Sequence, residues 1–134
     1  MAYWLIKSEP SAYSWEQFVK DKKTSWTGVR NAQAAINLKT MKPGDHCFFY
    51  HSNEGKEIVG IAEVVKAAYP DPTDEAGKAV TVDVKAIGPV NTPVTLAAIK
   101  AEPKLKDFGL VRQSRLSVVP VSAEQWKLIE KMAK

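Results

Sequence analysis

Three stretches in the middle of the chain leave little choice of fold. Residues 46–51 (HCFFYH), 57–67 (EIVGIAEVVKA) and 80–86 (VTVDVKA) all read as strands. In the last of them Val80, Val82, Val84 and Ala86 alternate with Thr81, Asp83 and Lys85. A period of two marks a strand with one buried face. The polar, Gly-containing link from Ser52 to Lys56 fits a hairpin loop. Residues 69–78 (YPDPTDEAGK) form a second loop. Strands joined this closely pair antiparallel, because a parallel return needs a long crossover. Gly60, inside the second strand, predicts a bulge or a close backbone approach.

Helices flank this block. Ser14, with Gln17 three positions on, starts a short helix running to about Val19. Asn31 can cap a second helix, whose Ala32, Ala35, Ile36 and Leu38 supply an apolar stripe. Ser122 with Gln125 opens a C-terminal helix that buries Trp126, Ile129 and either Met132 or Ala133. Residues 3–7 and 116–121 add strands near the two ends, residues 24–26 are extended, and residues 95–101 form a short helix. The expectation is one domain over residues 1–134, of α+β class: a small, mostly antiparallel sheet or barrel with helices packed around it.

Composition narrows the class. With 45% apolar residues and a formal net charge of +4, the chain is not of disordered type. No apolar run is long enough to span a membrane, and the N-terminus meets Lys7 and Glu9 too soon to be a secretory signal. The lone Cys47 allows no internal disulfide and no multi-cysteine metal site, which points to a reducing, cytoplasmic setting, or a nuclear one in a eukaryote. Charge is uneven: +3 over residues 1–46, −2 over 47–100 and +3 over 101–134. A fold that joins the ends makes a positive face able to attract an anion; otherwise these are solvated lysines.

Three stretches carry groups that a core does not need. Lys7-Ser8-Glu9-Pro10 ends the first strand and offers a phosphate partner, a hydroxyl and a carboxylate. Trp26-Thr27-Gly28-Val29-Arg30-Asn31 sets an aromatic face beside a glycine turn, an arginine and a helix start whose free N–H groups suit an anion. Arg112-Gln113-Ser114-Arg115 can clamp a phosphate and read a base edge. His51, Ser52 and Asn53, with Tyr50 before them, make a weaker fourth group at a strand end. Each has a plainer alternative: a polar loop, a core tryptophan with an ordinary helix cap, and a surface loop paired to Asp107 or Glu124. No Gly-rich phosphate loop or HExxH motif occurs, and neither a metal nor a cofactor is implied.

In order along the chain, YWLIKSEP, YSW, WTGVRN, MKPGD, FFYHSNEG, IVGIAEVV, YPDPT and RQSRLSVVPV resemble the EVE domain over about residues 2–130. This family sits in the PUA-like superfamily beside YTH and ASCH domains. The resemblance implies a small β-barrel flanked by helices. YTH domains bind N6-methyladenine in RNA, and EVE-type domains are associated with reading modified DNA bases. By likeness to the YTH pattern, Lys7 and Ser8 contact the modified nucleotide, Trp26 walls the base cage, and Arg115 or Arg112 grips a phosphate. No tryptophan lies between Trp26 and Trp126, so Tyr50 or His51 is left to stand for the second cage wall.

The resemblance thus implies a non-catalytic module for a modified nucleobase in DNA or RNA. Ser8, Trp26, Gly28, Val29, Asn31, Tyr50, His51 and Ser52 would meet the base. Lys7, Arg30, Arg112, Gln113, Ser114 and Arg115 would meet the phosphates. The rival expectations are an ASCH-like hydrolase of modified nucleosides or RNA, with Lys7 as base and Glu9 or Glu63 as its partner, and an interaction domain with no nucleotide ligand.

Overall fold

The computed structural model describes residues 1–134. Six strands and five helices follow in the order β1 (Tyr3–Ser8), α1 (Trp15–Asp21), β2 (Lys23–Ser25), α2 (Ala32–Thr40), β3 (His46–His51), β4 (Glu57–Pro70), β5 (Val80–Thr95), α3 (Leu96–Ala101), a 3-10 turn (Pro103–Leu105), α4 (Gly109–Arg112), β6 (Val118–Val121) and α5 (Ala123–Met132). All strands join one sheet in the order β2-β5-β4-β3-β1-β6. The class is α+β, and four of the five strand pairs are antiparallel. The exception is β1 against β3, with Tyr3 opposite His46 and Ser8 opposite His51. The chain between them runs through two helices and β2, long enough to return in parallel.

The sheet does not close into the expected barrel. β2 pairs only with β5, and β6 only with β1. β2 is three residues long, and the chain turns away at Gly28 with φ +85° before entering α2. A segment that short cannot zip onto the other end of the sheet, so a seam stays open.

β3 is buried on both faces, which accounts for its unbroken apolar run. Phe48 stacks on Trp126 of α5 with centroids 3.8 Å apart, and Trp126 stacks on Tyr3 at 4.6 Å. On the opposite face Phe49 meets Phe18 and Trp15 of α1 at 5.4 and 5.3 Å. Gly60 serves the close approach anticipated for it: a Cβ there would lie 2.4 Å from the Trp15 indole. The ladders also shift register beside it. α5 opens with the capping box of Ser122 and Gln125 and buries Trp126 and Ile129, with Ala133 rather than Met132 completing its inner face. α4 is an addition to the expected elements, and β5 runs on to Thr95.

α1 is tied to the sheet through a histidine. The Trp15 N–H donates to His51 Nε2 at 3.0 Å, which requires that nitrogen to be unprotonated. Burial pushes the His51 pKa down, against the opposing pull of Glu57 and Glu16. The folded ring therefore binds a proton more weakly than the unfolded one. As pH falls the unfolded chain takes up more protons, so this contribution to stability is present above about pH 6.5 and lost below it. Melting curves from about pH 8 to about pH 5 should show that decline. His51→Gln, whose amide oxygen can accept the same N–H, should flatten that part of the profile. An unchanged slope in the variant would assign the decline to other groups.

Candidate functional site

The open seam holds a cavity of about 400 Å³. From one end of the sheet come Lys7 and Ser8 at the close of β1, and Ser117 just before β6. From the other come Thr24 and Ser25 of β2 and the turn Trp26-Thr27-Gly28-Val29-Arg30. Ala12 and Tyr13, ahead of α1, complete the wall. The volume falls within the range of about 300–1,000 Å³ usual for small-ligand sites.

Trp26 reconciles its two alternatives. It is 8% exposed, edge-on to Phe49 at 5.7 Å and to Tyr13 at 6.3 Å, and it also lines the cavity. Its backbone N–H donates to Val82 O, holding the turn to β5. Tyr13 donates its hydroxyl to Asp21 at 2.8 Å; burial and that carboxylate push its pKa up to about 12. The phenol therefore stays neutral.

Lys7 projects from β1 and donates from Nζ to Ser114 O at 2.9 Å. Burial lowers its pKa, and no carboxylate lies within ion-pair distance of it. The cavity therefore carries a cation with donor capacity to spare. Arg30 is held differently. Its Nη1 lies 3.1 Å from Asp71 Oδ2 and its Nη2 3.1 Å from Thr73 Oγ1, with the side chain still 46% exposed. Asp71 itself is 2% exposed and also accepts from Gly28 N–H at 2.9 Å. Burial opposes its ionisation, but bonds from the Thr73 hydroxyl, the Gly28 and Thr73 N–H groups and Arg30 outweigh that. They hold its carboxyl well below the usual carboxylate range.

The expected residues divide into two neighbouring hollows. Lys7, Ser8, Trp26, Gly28, Val29 and Arg30 share the seam cavity. Arg112, Gln113, Ser114 and Arg115 line a second hollow of about 490 Å³ with Asn31, Gln33 and Leu116. The Lys7–Ser114 bond links the two. Asn31 caps α2, accepting from Ala34 N–H at 3.0 Å. Arg112 and Arg115 form no ion pair with Asp107 or Glu124.

The fourth expected group does not reach the cavity, and the reason lies in β3. Tyr50 is 3% exposed within the core, and the His51 ring is engaged by α1. Ser52 meets β1 only through its N–H, which donates to Ser8 O. Glu63, the other carboxylate considered for Lys7, instead faces His46 and Lys85 at 3.5 and 3.6 Å. Sequence reasoning missed Asp71, Ala12, Tyr13, Thr24, Ser25 and Ser117. Only Asp71 had a signal: a threonine two positions on, the spacing of a side-chain-capped turn, seen in the bonds from Thr73 N–H and Oγ at 2.7 and 2.6 Å.

An open six-stranded sheet with helices packed against it and a part-apolar, cation-bearing cavity at its seam defines an α+β domain compatible with the PUA-like class. The EVE domain profile matches residues 2–132, and the chain belongs to that family. Human Thymocyte nuclear protein 1 is 32% identical over 162 aligned positions, which take in 96% of this chain and 72% of the human protein. A crystal structure of that human protein in complex with DNA containing 5-methylcytosine superposes with a TM-score of 0.92 at 31% identity, covering 100% of this chain and 98% of the other. The Rhodopseudomonas palustris protein Rpa0253, solved by NMR, is 60% identical with a TM-score of 0.94, covering 99% of this chain and 93% of that one. An ASCH protein of Zymomonas mobilis, at 11% identity and a TM-score of 0.62 over 98% and 99% of the two chains, shares the fold alone.

Proposed function

We propose that this chain is a non-catalytic binding module that takes a modified base of DNA into the seam cavity. Trp26 supplies the aromatic face and Ser8 meets the base edge. Lys7, Arg30 and the Arg112–Arg115 loop hold the flanking phosphates. The observation that carries this reading is the composition of the cavity: an indole with Ala12 and Val29 able to accept an added methyl, beside a lysine without a carboxylate partner. A methyl group has no charge to recognise, so selecting it takes a dry apolar wall around a base drawn out of the stack. The human relative crystallised with 5-methylcytosine DNA supports the same reading. The second hollow, joined to the first through Lys7 and Ser114, would receive the backbone leaving the cavity.

A hydrolytic reading draws on one observation, the burial that lowers the Lys7 pKa. A lysine acting as base also needs a partner to take or relay its proton; Glu9 forms no ion pair with Lys7, and Glu63 is engaged elsewhere. The reader is therefore the better-supported function.

Titration of duplexes carrying 5-methylcytosine or cytosine at one position, followed by tryptophan fluorescence, tests it. An RNA of the same sequence serves as a third arm. The modified DNA should bind tightest and be recovered chemically unchanged. Its affinity should fall as salt rises, and Arg115→Ala should lower the salt slope by about one unit or less while weakening modified and unmodified DNA alike. Equal affinity for the modified and unmodified duplexes, or a hydrolysed product that depends on Lys7, would overturn the reading.

A further inference from the structure

Several hydroxyls in the cavity wall have lost the freedom a hydroxyl ordinarily has, Tyr13 to Asp21 among them, and two of them belong to serines. Ser8 Oγ donates its only proton to Tyr13 O at 2.6 Å. Ser25 Oγ lies 2.8 Å from Asp83 Oδ1 and 3.0 Å from Tyr69 Oη, and the Tyr69 proton goes to that same carboxylate oxygen. Whichever of the two Ser25 serves, its proton is turned toward the protein. Burial works against ionisation of Asp83, but bonds from Tyr69 and Ser25, with Lys66 and Lys23 nearby, hold its carboxyl below the ordinary range. It therefore remains an acceptor for both neighbours. Both serine oxygens present only lone pairs to a ligand.

The fixed donors of the cavity are of a different kind. Lys7 gives one of its three protons to Ser114 O and keeps two. The Trp26 indole N–H has no protein partner, and no buried side-chain nitrogen or oxygen in the chain lacks one, so that N–H is open to solvent. The Thr27 and Ser117 hydroxyls have no intramolecular partner and can rotate to suit either kind of ligand atom. Ser8 and Ser25 are thus oriented acceptors, as is the Tyr13 oxygen, whereas Lys7, the half-exposed Arg30 and the Trp26 indole can only donate.

We propose that the cavity selects a base presenting an exocyclic amino group, as on the edges of cytosine and adenine, and rejects the keto edge of thymine and uracil, with Ser8 and Ser25 as the specificity-determining residues. This rests on the reading of the cavity as a base site. An amino group gives the serine lone pairs the protons they lack, while the ring nitrogen next to it, present in both bases, accepts from Lys7 or Trp26. A keto oxygen in the same place sets acceptor against acceptor and leaves the wall unpaired. Sites built to hydrogen-bond a donor reject an analogue lacking it far more strongly than apolar pockets reject a missing methyl.

Four duplexes test this, carrying cytosine, 5-methylcytosine, uracil or thymine at one position opposite an abasic site, so that none of the four loses a pairing partner. The amino bases should bind about tenfold or more tighter than their keto counterparts, cytosine over uracil and 5-methylcytosine over thymine. Ser25→Ala, at an exposed position, should narrow that ratio about threefold or more by weakening the amino bases, and the S8A/S25A double variant should remove it. Equal binding along the amino-keto axis, or a ratio that survives both variants, overturns the proposal. Equal binding along the methyl axis instead overturns the modified-base reading and leaves the amino-keto comparison to be judged by itself. Failure of all four duplexes to bind overturns both.

Discussion

Trp26→Ala is expected to weaken binding of a 5-methylcytosine duplex about 5- to 150-fold. Stacking of one base on an aromatic face is worth roughly 1–3 kcal/mol, and that range converts to this loss. The loss should be largest for the modified base, because in the proposed module the indole belongs to the wall that meets the added group. Trp26 is also 8% exposed and packs edge-on to Phe49 and Tyr13, so removing it should cost about 3–5 kcal/mol of stability as well. The two effects separate through Trp26→Phe, which keeps a ring against Phe49 but offers less stacking area and no indole N–H. That variant should melt close to the parent and still bind several-fold more weakly. Anisotropy of labelled DNA, measured well below the melting temperature, gives the affinities; circular dichroism gives the stabilities. If folded Trp26→Phe and Trp26→Ala proteins bind as the parent does, Trp26 is a core residue alone.

Local signals in the sequence carried most of the elements. The alternation from Val80 to Ala86 became β5, although Thr81 is buried with Val82 and Val84. The Ser14, Asn31 and Ser122 caps became three helix starts with their expected bonds. These features depend on residues three or four apart, which a single sequence displays directly. Gly60 was legible as an oddity, but its partner Trp15 lies far away in the chain and announces nothing about where it packs. α4 is one turn of helix, too short for periodicity to reveal. β5 continues past Pro89 and Pro93 because its second half pairs with β4 on one side only, and proline is tolerated on an edge that donates nothing.

Closure of the sheet was not legible for a related reason. A barrel and an open curl can share the same alternation along every strand. The difference lies in whether β2 reaches the far end of the sheet, and that depends on where Gly28 turns the chain. The same uncertainty governed the site. The motifs at Lys7-Ser8 and Trp26 to Arg30 share a cavity because the seam is open between them. Tyr50 and His51 sit beside β1 in the ladder and still miss it, one in the core and one held by Trp15. Adjacency in a sheet fixes the backbone, and the packing around each side chain decides which way its chemistry points.

Asp71→Ala should destabilise the protein by about 1–3 kcal/mol and weaken DNA binding at the same time. One buried carboxylate holds the Gly28 N–H, the Arg30 guanidinium and both donors of Thr73. Its removal leaves the Gly28 and Thr73 donors without their acceptor, but both residues are exposed and water recovers part of the loss, as it does for the half-exposed Arg30. Gly28 at φ +85° forms the turn between Trp26 and α2, so loosening it lets the indole and Arg30 drift from the geometry a ligand needs. Asp71→Asn keeps the shape and one acceptor but not the charge, and should fall between the parent and the alanine variant in both measurements. The titration behaviour carries the sign of the effect. A carboxyl whose folded pKa lies below its unfolded value stabilises above about pH 4, and that share is lost as pH falls further. The parent should therefore lose stability more steeply than Asp71→Asn in acid melts taken below about pH 4, while the two run parallel near neutrality. Equal acid slopes would show that Asp71 is not held ionised by this network. Unchanged affinity in a folded Asp71→Ala protein would show that the Gly28–Arg30 turn needs no anchor to bind its ligand.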